Sequence, residues 1–112
     1  MTGLYELKKN PSGKYSFALK AGNGETVLAS EVYNTKAAAA NGIKSVQTNS
    51  VLDERFEKKV AKNGKPYFVL KAGNHQIIGT SELYNTEEAR DKGIAAVKKA
   101  GPAEKIKELE DK

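Results

Sequence analysis

"SELYNTEEARDKGIAAV" (81–97) is a near-copy of "SEVYNTKAAAANGIKSV" (30–46). Written against itself at an offset of 51, the chain also places "GKYSFALKAGN" (13–23) on "GKPYFVLKAGN" (64–74) without a gap. Between Gly13 and Val46, 17 of 34 positions are identical to their counterparts, and upstream Tyr5 meets Phe56 and Glu6 meets Glu57. Two units result, 4–50 and 55–101, joined by "VLDE" (51–54) and followed by an appendage over 102–112. Two copies are fewer than a solenoid array needs for stability, so internal duplication describes the pattern better.

Each unit reads the same way locally. "LYELKK" and "FEKKVAK" are short extended segments that lead into "NPSGK" and "KNGKP". Asn63-Gly64 is a strong hairpin signal because both residues tolerate φ > 0, whereas the first copy calls for a longer turn around Pro11 and Gly13. "YSFALK" and "YFVLK" follow, with Phe17, Leu19, Phe68 and Leu70 on the core face by period-two alternation. Pro66 opens its strand, where a missing N–H is tolerated. After the turns "AGNG" and "AGNH" come "TVLAS" and "IIGTS" as third strands.

A helix then begins after "YNT", with Thr35 and Thr86 as N-caps whose hydroxyls accept from a first-turn N–H. Its shared apolar positions are Ala38, Ile43 and Val46, matched by Ala89, Ile94 and Val97. Gly42 and Gly93 each cost about 1 kcal/mol in a helix interior relative to alanine. Their presence in both copies implies a close approach of helix to sheet. In the appendage, "PAEKIKELEDK" reads as a short helix started at Pro102 or as a loosely docked, frayed end.

The expected fold is therefore α+β: two tandem β-β-β-α repeats forming one antiparallel sheet with two helices packed on it, the halves related by a pseudo-two-fold. A unit this short buries too little surface to be stable alone and leaves a bare sheet edge. Joining two sheets over one core relieves both problems, and like surfaces meet naturally around a two-fold. "VLDE" is short and has neither glycine nor proline, so it is not a free spacer.

Composition bounds the function. The 112 residues suit a single domain, 1–112; 38% are hydrophobic and 29% charged, and the pattern is too regular for disorder. With no cysteine, disulfides, thiolate metal sites and cysteine nucleophiles are excluded. No apolar run is long enough to span a membrane, and the N-terminal stretch has no apolar signal region, so the expectation is a cytoplasmic monomer with no membrane partner. The net charge of +5 is spread over both copies, which raises general affinity for polyanions.

The doubled "LKAGN…SE-x-YNT…GI…V" pattern resembles the YegP-like family of small bacterial proteins of uncharacterised function. The resemblance covers residues 4–101. It implies the tandem β-β-β-α fold with a continuous antiparallel sheet, and dimers where a member has a single repeat. It brings no catalytic assignment.

Candidate site residues come from the repeated motifs. Lys20 and Lys71 stand beside glycine-containing turns that can hold an anion, though the spacing matches neither the P-loop nor the dinucleotide fingerprint. Glu31 and Glu82 stand where strand gives way to helix. They either converge as a carboxylate pair or order the start of their own helices. Tyr33 and Tyr84 read as core aromatics rather than exposed contacts. These six are the candidate ligand or polyanion contacts. His75, the only histidine, has no companion for catalysis or metal binding and reads as an exposed turn residue. No catalytic residue, metal or cofactor is called for. The leading expectation is a non-enzymatic binding or interaction module. The alternative is nucleic-acid or other polyanion binding by lysines interleaved with Tyr5, Tyr15, Tyr67 and Phe68.

Overall fold

The computed structural model describes residues 3–109. The first repeat gives β1 (Leu4–Lys9), β2 (Tyr15–Lys20), β3 (Thr26–Ala29) and α1 (Lys36–Asn49). After a single 3-10 turn at Asp53–Arg55, the second gives β4 (Phe56–Val60), β5 (Pro66–Lys71), β6 (Ile77–Thr80) and α2 (Glu87–Ala100). The chain then adds β7 (Ile106–Leu109).

All seven strands form one sheet in the order β4-β5-β6-β3-β2-β1-β7. The halves join through their third strands, where Ala29 pairs with Thr80. Two expectations are corrected here. The sheet is mixed, because β7 runs parallel to β1 with Tyr5 opposite Ile106 and Lys8 opposite Leu109. The appendage is neither a helix nor a frayed end over its described residues. It forms an edge strand that covers β1, anchored by Tyr5 N–H donating to the Lys105 carbonyl at 2.9 Å and Gln47 Nε2 donating to the Ala103 carbonyl at 2.8 Å. Residues 110–112 of that segment lie outside the described residues.

One hydrophobic cluster draws on both halves: Tyr5, Leu7, Phe17, Leu19, Leu28, Ile43 and Val46 with Phe68, Leu70, Ile78, Val97 and Ala100. The alternation expected for β2 and β5 holds, with Phe17, Leu19, Phe68 and Leu70 buried. Each helix lies over strands of both repeats, α1 on β2, β5 and β6, and α2 on β5, β3 and β2. Thr35 Oγ1 accepts from Ala38 N–H and Thr86 Oγ1 from Ala89 N–H, both at 3.0 Å, as N-caps do. The buried stripe departs from expectation at two points, one of them Ile94, which is half-buried where its counterpart Ile43 is buried. Ala39 is buried where Ala38 is half-exposed, and the Ala39 counterpart is Arg90, also buried. Arg90 reaches out to Asp91 at 3.1 Å, which together with Lys58 holds the Asp91 carboxyl below the usual range.

The hairpin loops correct a third expectation. Asn10–Lys14 and Ala61–Lys65 are closed by the same bond pair, with Gly13 donating to Asn10 and Gly64 to Ala61. The first copy needs no longer loop, and only the glycines take positive φ, +83° and +84°. At the β2–β3 tip Gly24 has φ +86°, and its counterpart His75 has φ +70°, the one non-glycine in that region among the described residues. An L side chain there is strained. His75→Gly is therefore expected to raise unfolding stability by about 0.5–1 kcal/mol, the relief of strain exceeding glycine's greater entropy loss. Urea denaturation of the two proteins checks this.

Candidate functional site

Ser30 and Ser81 direct the chain from sheet to helix. Ser30 Oγ accepts from Phe17 N–H at 2.8 Å and donates to the Glu31 carbonyl at 2.7 Å. Ser81 Oγ accepts from Phe68 N–H at 3.0 Å and donates to the Glu82 carbonyl at 2.8 Å. The hydroxyl thus satisfies a strand amide just past the end of β3 or β6 and turns the backbone away. This ordering role, which the sequence suggested for the glutamates, belongs to the serines. The Glu31 and Glu82 side chains are left exposed.

Two residues on, Tyr33 and Tyr84 lie flat against Phe17 and Phe68, with centroids 6.2 and 6.3 Å apart and ring planes 8° and 9° from parallel. Each ring passes under its helix at the glycine. A Cβ on Gly42 would stand 2.5 Å from the Tyr33 hydroxyl oxygen, and one on Gly93 would stand 2.7 Å from Tyr84 Cζ. The close approach inferred from the mid-helix glycines is real, and the tyrosine ring fills it. Burial pushes both phenols up, helped by Glu31 at Tyr33 and by Glu82 and then Glu25 at Tyr84. Tyr33 also exchanges two backbone bonds with Tyr15, at 2.8 and 2.6 Å. In the second half Pro66 replaces Tyr15 and has no N–H, so only Tyr84 N–H donates, at 2.8 Å to the Pro66 carbonyl.

These elements meet the hairpin tips of the opposite half. Glu82, Tyr84 and Lys92 line a cleft of about 200 Å³ with Asn23, Glu25 and Val27 of the first repeat. Glu31 and Tyr33 line a second, of about 460 Å³, with His75, Gln76, Ile77 and Ile78 of the second repeat. Glu31 and Glu82 therefore occupy separate clefts and form no shared pair. The tip residues Glu25, His75 and Gln76 were not singled out as partners from sequence, because nothing local says that a tip in one repeat faces a helix approach in the other.

Lys20 and Lys71 lie elsewhere. Tyr5, Leu7, Phe17 and Leu19 take the helix-covered face, so Glu6 and Lys20 fall on the opposite face, 3.6 Å apart. Their counterparts repeat the arrangement, with Lys71 at 2.9 Å and Lys59 at 3.4 Å from Glu57 Oε1. Lys71 first and then Lys59 hold the Glu57 carboxyl below its ordinary range. Of the aromatics interleaved with lysines, Tyr5 and Phe68 are fully buried and Tyr15 packs against the core. Tyr67 remains on the helix-free face, opposite Lys59. Among the described residues no group of three or more His, Cys, Asp or Glu is placed to hold a metal, and no helix is long and apolar enough to cross a membrane.

Comparison with known proteins agrees with the duplication. A family profile described as "Domain of unknown function (DUF1508)" matches residues 10–57 and again 61–108. The chain belongs to this YegP-like family. It is 57% identical over 109 residues to a UPF0339 protein of Acinetobacter baylyi, covering 97% of this chain and 98% of that one. It is 53% identical over 108 residues to the UPF0339 protein YegP of Escherichia coli K12, covering 96% and 98%. The solution structure of E. coli YegP, a protein of unknown function, superposes with a TM-score of 0.94 at 51% identity, covering 100% of this chain and 97% of that one. A UPF0339 protein of Shewanella oneidensis gives 0.92 at 55%, covering 98% and 93%. Within the family frame, each window starts in the turn before the second strand and ends in the strand after the helix. Its first window ends in β4 and its second in β7.

Proposed function

We propose that this YegP-like protein is a small, monomeric, cytoplasmic binding module without catalytic activity, and that its ligand sites are the two clefts between the halves. The observation that carries this reading is the crossing of repeats. The Glu-x-Tyr element of each half faces the hairpin tip of the other, so both clefts are lined by both repeats. The reading includes the near-two-fold relation, supported by counterpart positions that touch: Ala29 pairs with Thr80, and Ser50 packs on Gly101.

The smaller cleft sets the carboxylates of Glu82 and Glu25 around a half-buried phenol ring, with Lys92, paired to Glu88 at 3.7 Å, as the one cation among the described residues lining it. Carboxylates beside an aromatic ring suit a compact cation, through ion pairing and attraction to the ring face. At about 200 Å³ the space is below the usual range for drug-sized ligands, so a small amine fits better than a nucleotide. Titrating the ¹⁵N-labelled protein with small mono- and diamines is expected to shift the amides of Asn23–Glu25 and Glu82–Tyr84, with affinity about tenfold weaker in Glu82→Gln, the loss of one charged hydrogen bond. An absence of shifts at millimolar amine would sink the reading.

A second reading rests on the helix-free face, where strand residues Lys8, Lys20, Lys59, Lys71 and Lys107 outnumber Glu6 and Glu57. Such a face attracts polyanions, and binding to it should weaken steeply with salt. Single-stranded oligonucleotides titrated in the same experiment separate the two readings by which residues move.

A further inference from the structure

We propose that the outer edge of β4, with the groove between it and α2, is a docking site for an extended segment of a partner protein, added to the sheet as a parallel strand. Its chemistry is apolar–basic–acidic–apolar in order. The site is distinct from the clefts between the halves.

The first half shows what such a groove holds. Alongside β1 and α1, residues 101–109 lie against Tyr5 and Gln47 and end in β7. Tyr5 donates its hydroxyl to the Gly101 carbonyl at 2.6 Å, and Tyr5, Leu7 and Ile43 are buried. The counterparts in the second half are Phe56, Lys58 and Ile94. Here the chain after α1 runs directly into β4, beside β5, and among the described residues no strand follows outside it. The groove remains open, about 570 Å³, lined by Phe56, Lys58, Ile94 and Lys98. Phe56 and Ile94 are only half-buried, and Val60 at the strand's end is 66% exposed.

The register of the filled edge specifies the missing strand. β7 sets Ile106 opposite Tyr5, Lys107 opposite Glu6, Glu108 opposite Leu7 and Leu109 opposite Lys8. Transferred to β4, the same order sets an apolar residue on Phe56, a base on Glu57, an acid on Lys58 and an apolar residue along the stem of Lys59. Both charged pairs are of opposite sign, which favours this strand across the edge. The lysines on β4 meanwhile discourage indiscriminate edge pairing. Main-chain bonding would supply affinity and the alternating side chains specificity, as in other strand additions. The ion pairs Lys58–Asp91, at 3.3 Å, and Lys98–Asp53 are exposed enough to open for an incoming carboxylate.

The test uses a capped peptide, Ac-AEKIKELE-NH₂, as the probe strand and the full-length ¹⁵N-labelled protein. The expected result is amide shifts at Phe56–Val60, Ile94 and Lys98 with slowed exchange at the outer β4 amides, and binding about tenfold weaker in Val60→Glu and in Ile94→Lys. Thermal melts confirm that both variants fold; Val60 is so exposed that at least that one should. Shifts confined to β1 and α1, meaning that the peptide replaces β7, would overturn the proposal, as would no shift at millimolar peptide. Concentration-dependent dimerisation through β4 that the peptide does not reverse would also overturn it, assigning the edge to a second copy.

Discussion

Severing the chain between Asn49 and Ser50 is expected to leave neither fragment folded as a monomer. A unit of about 50 residues buries roughly 60% of the surface its unfolded chain exposes, which is marginal for independent stability. Here the division also cuts through the core. Phe17, Leu19 and Leu28 belong to one cluster with Phe68, Leu70 and Ile78, and each helix rests on strands of both repeats. The backbone seam between β3 and β6 is slight, one pairing of Ala29 with Thr80, and the short parallel pairing of β7 with β1 is the other ladder across the cut, so side-chain burial holds most of the join. A domain is normally stable by only about 5–15 kcal/mol, so the loss of this shared burial is expected to unfold both fragments. Circular dichroism and urea melts of 1–49 and 50–112, alone and mixed, make the check. Structure should return on mixing, or when a fragment pairs with itself at high concentration. Two cooperative monomeric transitions would refute the mutual dependence.

Gly101→Ala is expected to destabilise the protein by about 3 kcal/mol, the upper end for overpacking a filled interior. Gly101 caps α2, and a Cβ there would collide with the Ser50 side chain and stand 2.8 Å from the Val97 carbonyl oxygen. Ser50 has little room to yield, being fully buried at the end of α1 with a hydroxyl that has no hydrogen-bond partner among the described residues. Replacing Ser50 by glycine removes the collision at its other side. The double variant Gly101→Ala/Ser50→Gly should therefore recover most of the loss, read as a coupling of about 1–3 kcal/mol in a double-mutant cycle. Equal losses in the single and double variants would mean that the strain lies elsewhere.

How far the fold was legible follows from where its causes lie. The offset of 51 exposed the duplication, and the spacing within it placed the six strands of the repeats, both helices and the caps at Thr35 and Thr86. Those are local properties, set by alternation, capping and turn residues that stand next to one another. β7 was missed because "IKEL" has no bounding signal of its own, although one further step of the same offset sets Glu108 on Glu57 and Glu6. The candidate residues divided in the same way. Glu31, Glu82, Tyr33 and Tyr84 were recognisable from their repetition, yet their companions Glu25, His75 and Gln76 were not, since those lie in the other repeat.

The sequence by itself determined what each repeat becomes and that each helix comes close to the sheet at its glycine, though not that a tyrosine ring fills the gap. Only the tertiary structure decided that the repeats join at β3 and β6, that each tyrosine element faces the other half's hairpin, and that one outer edge is covered while its counterpart is open. The physical reason is that alternation and capping act over a few residues. Which surfaces meet depends instead on burying two apolar faces at once, a condition that no single stretch of chain expresses.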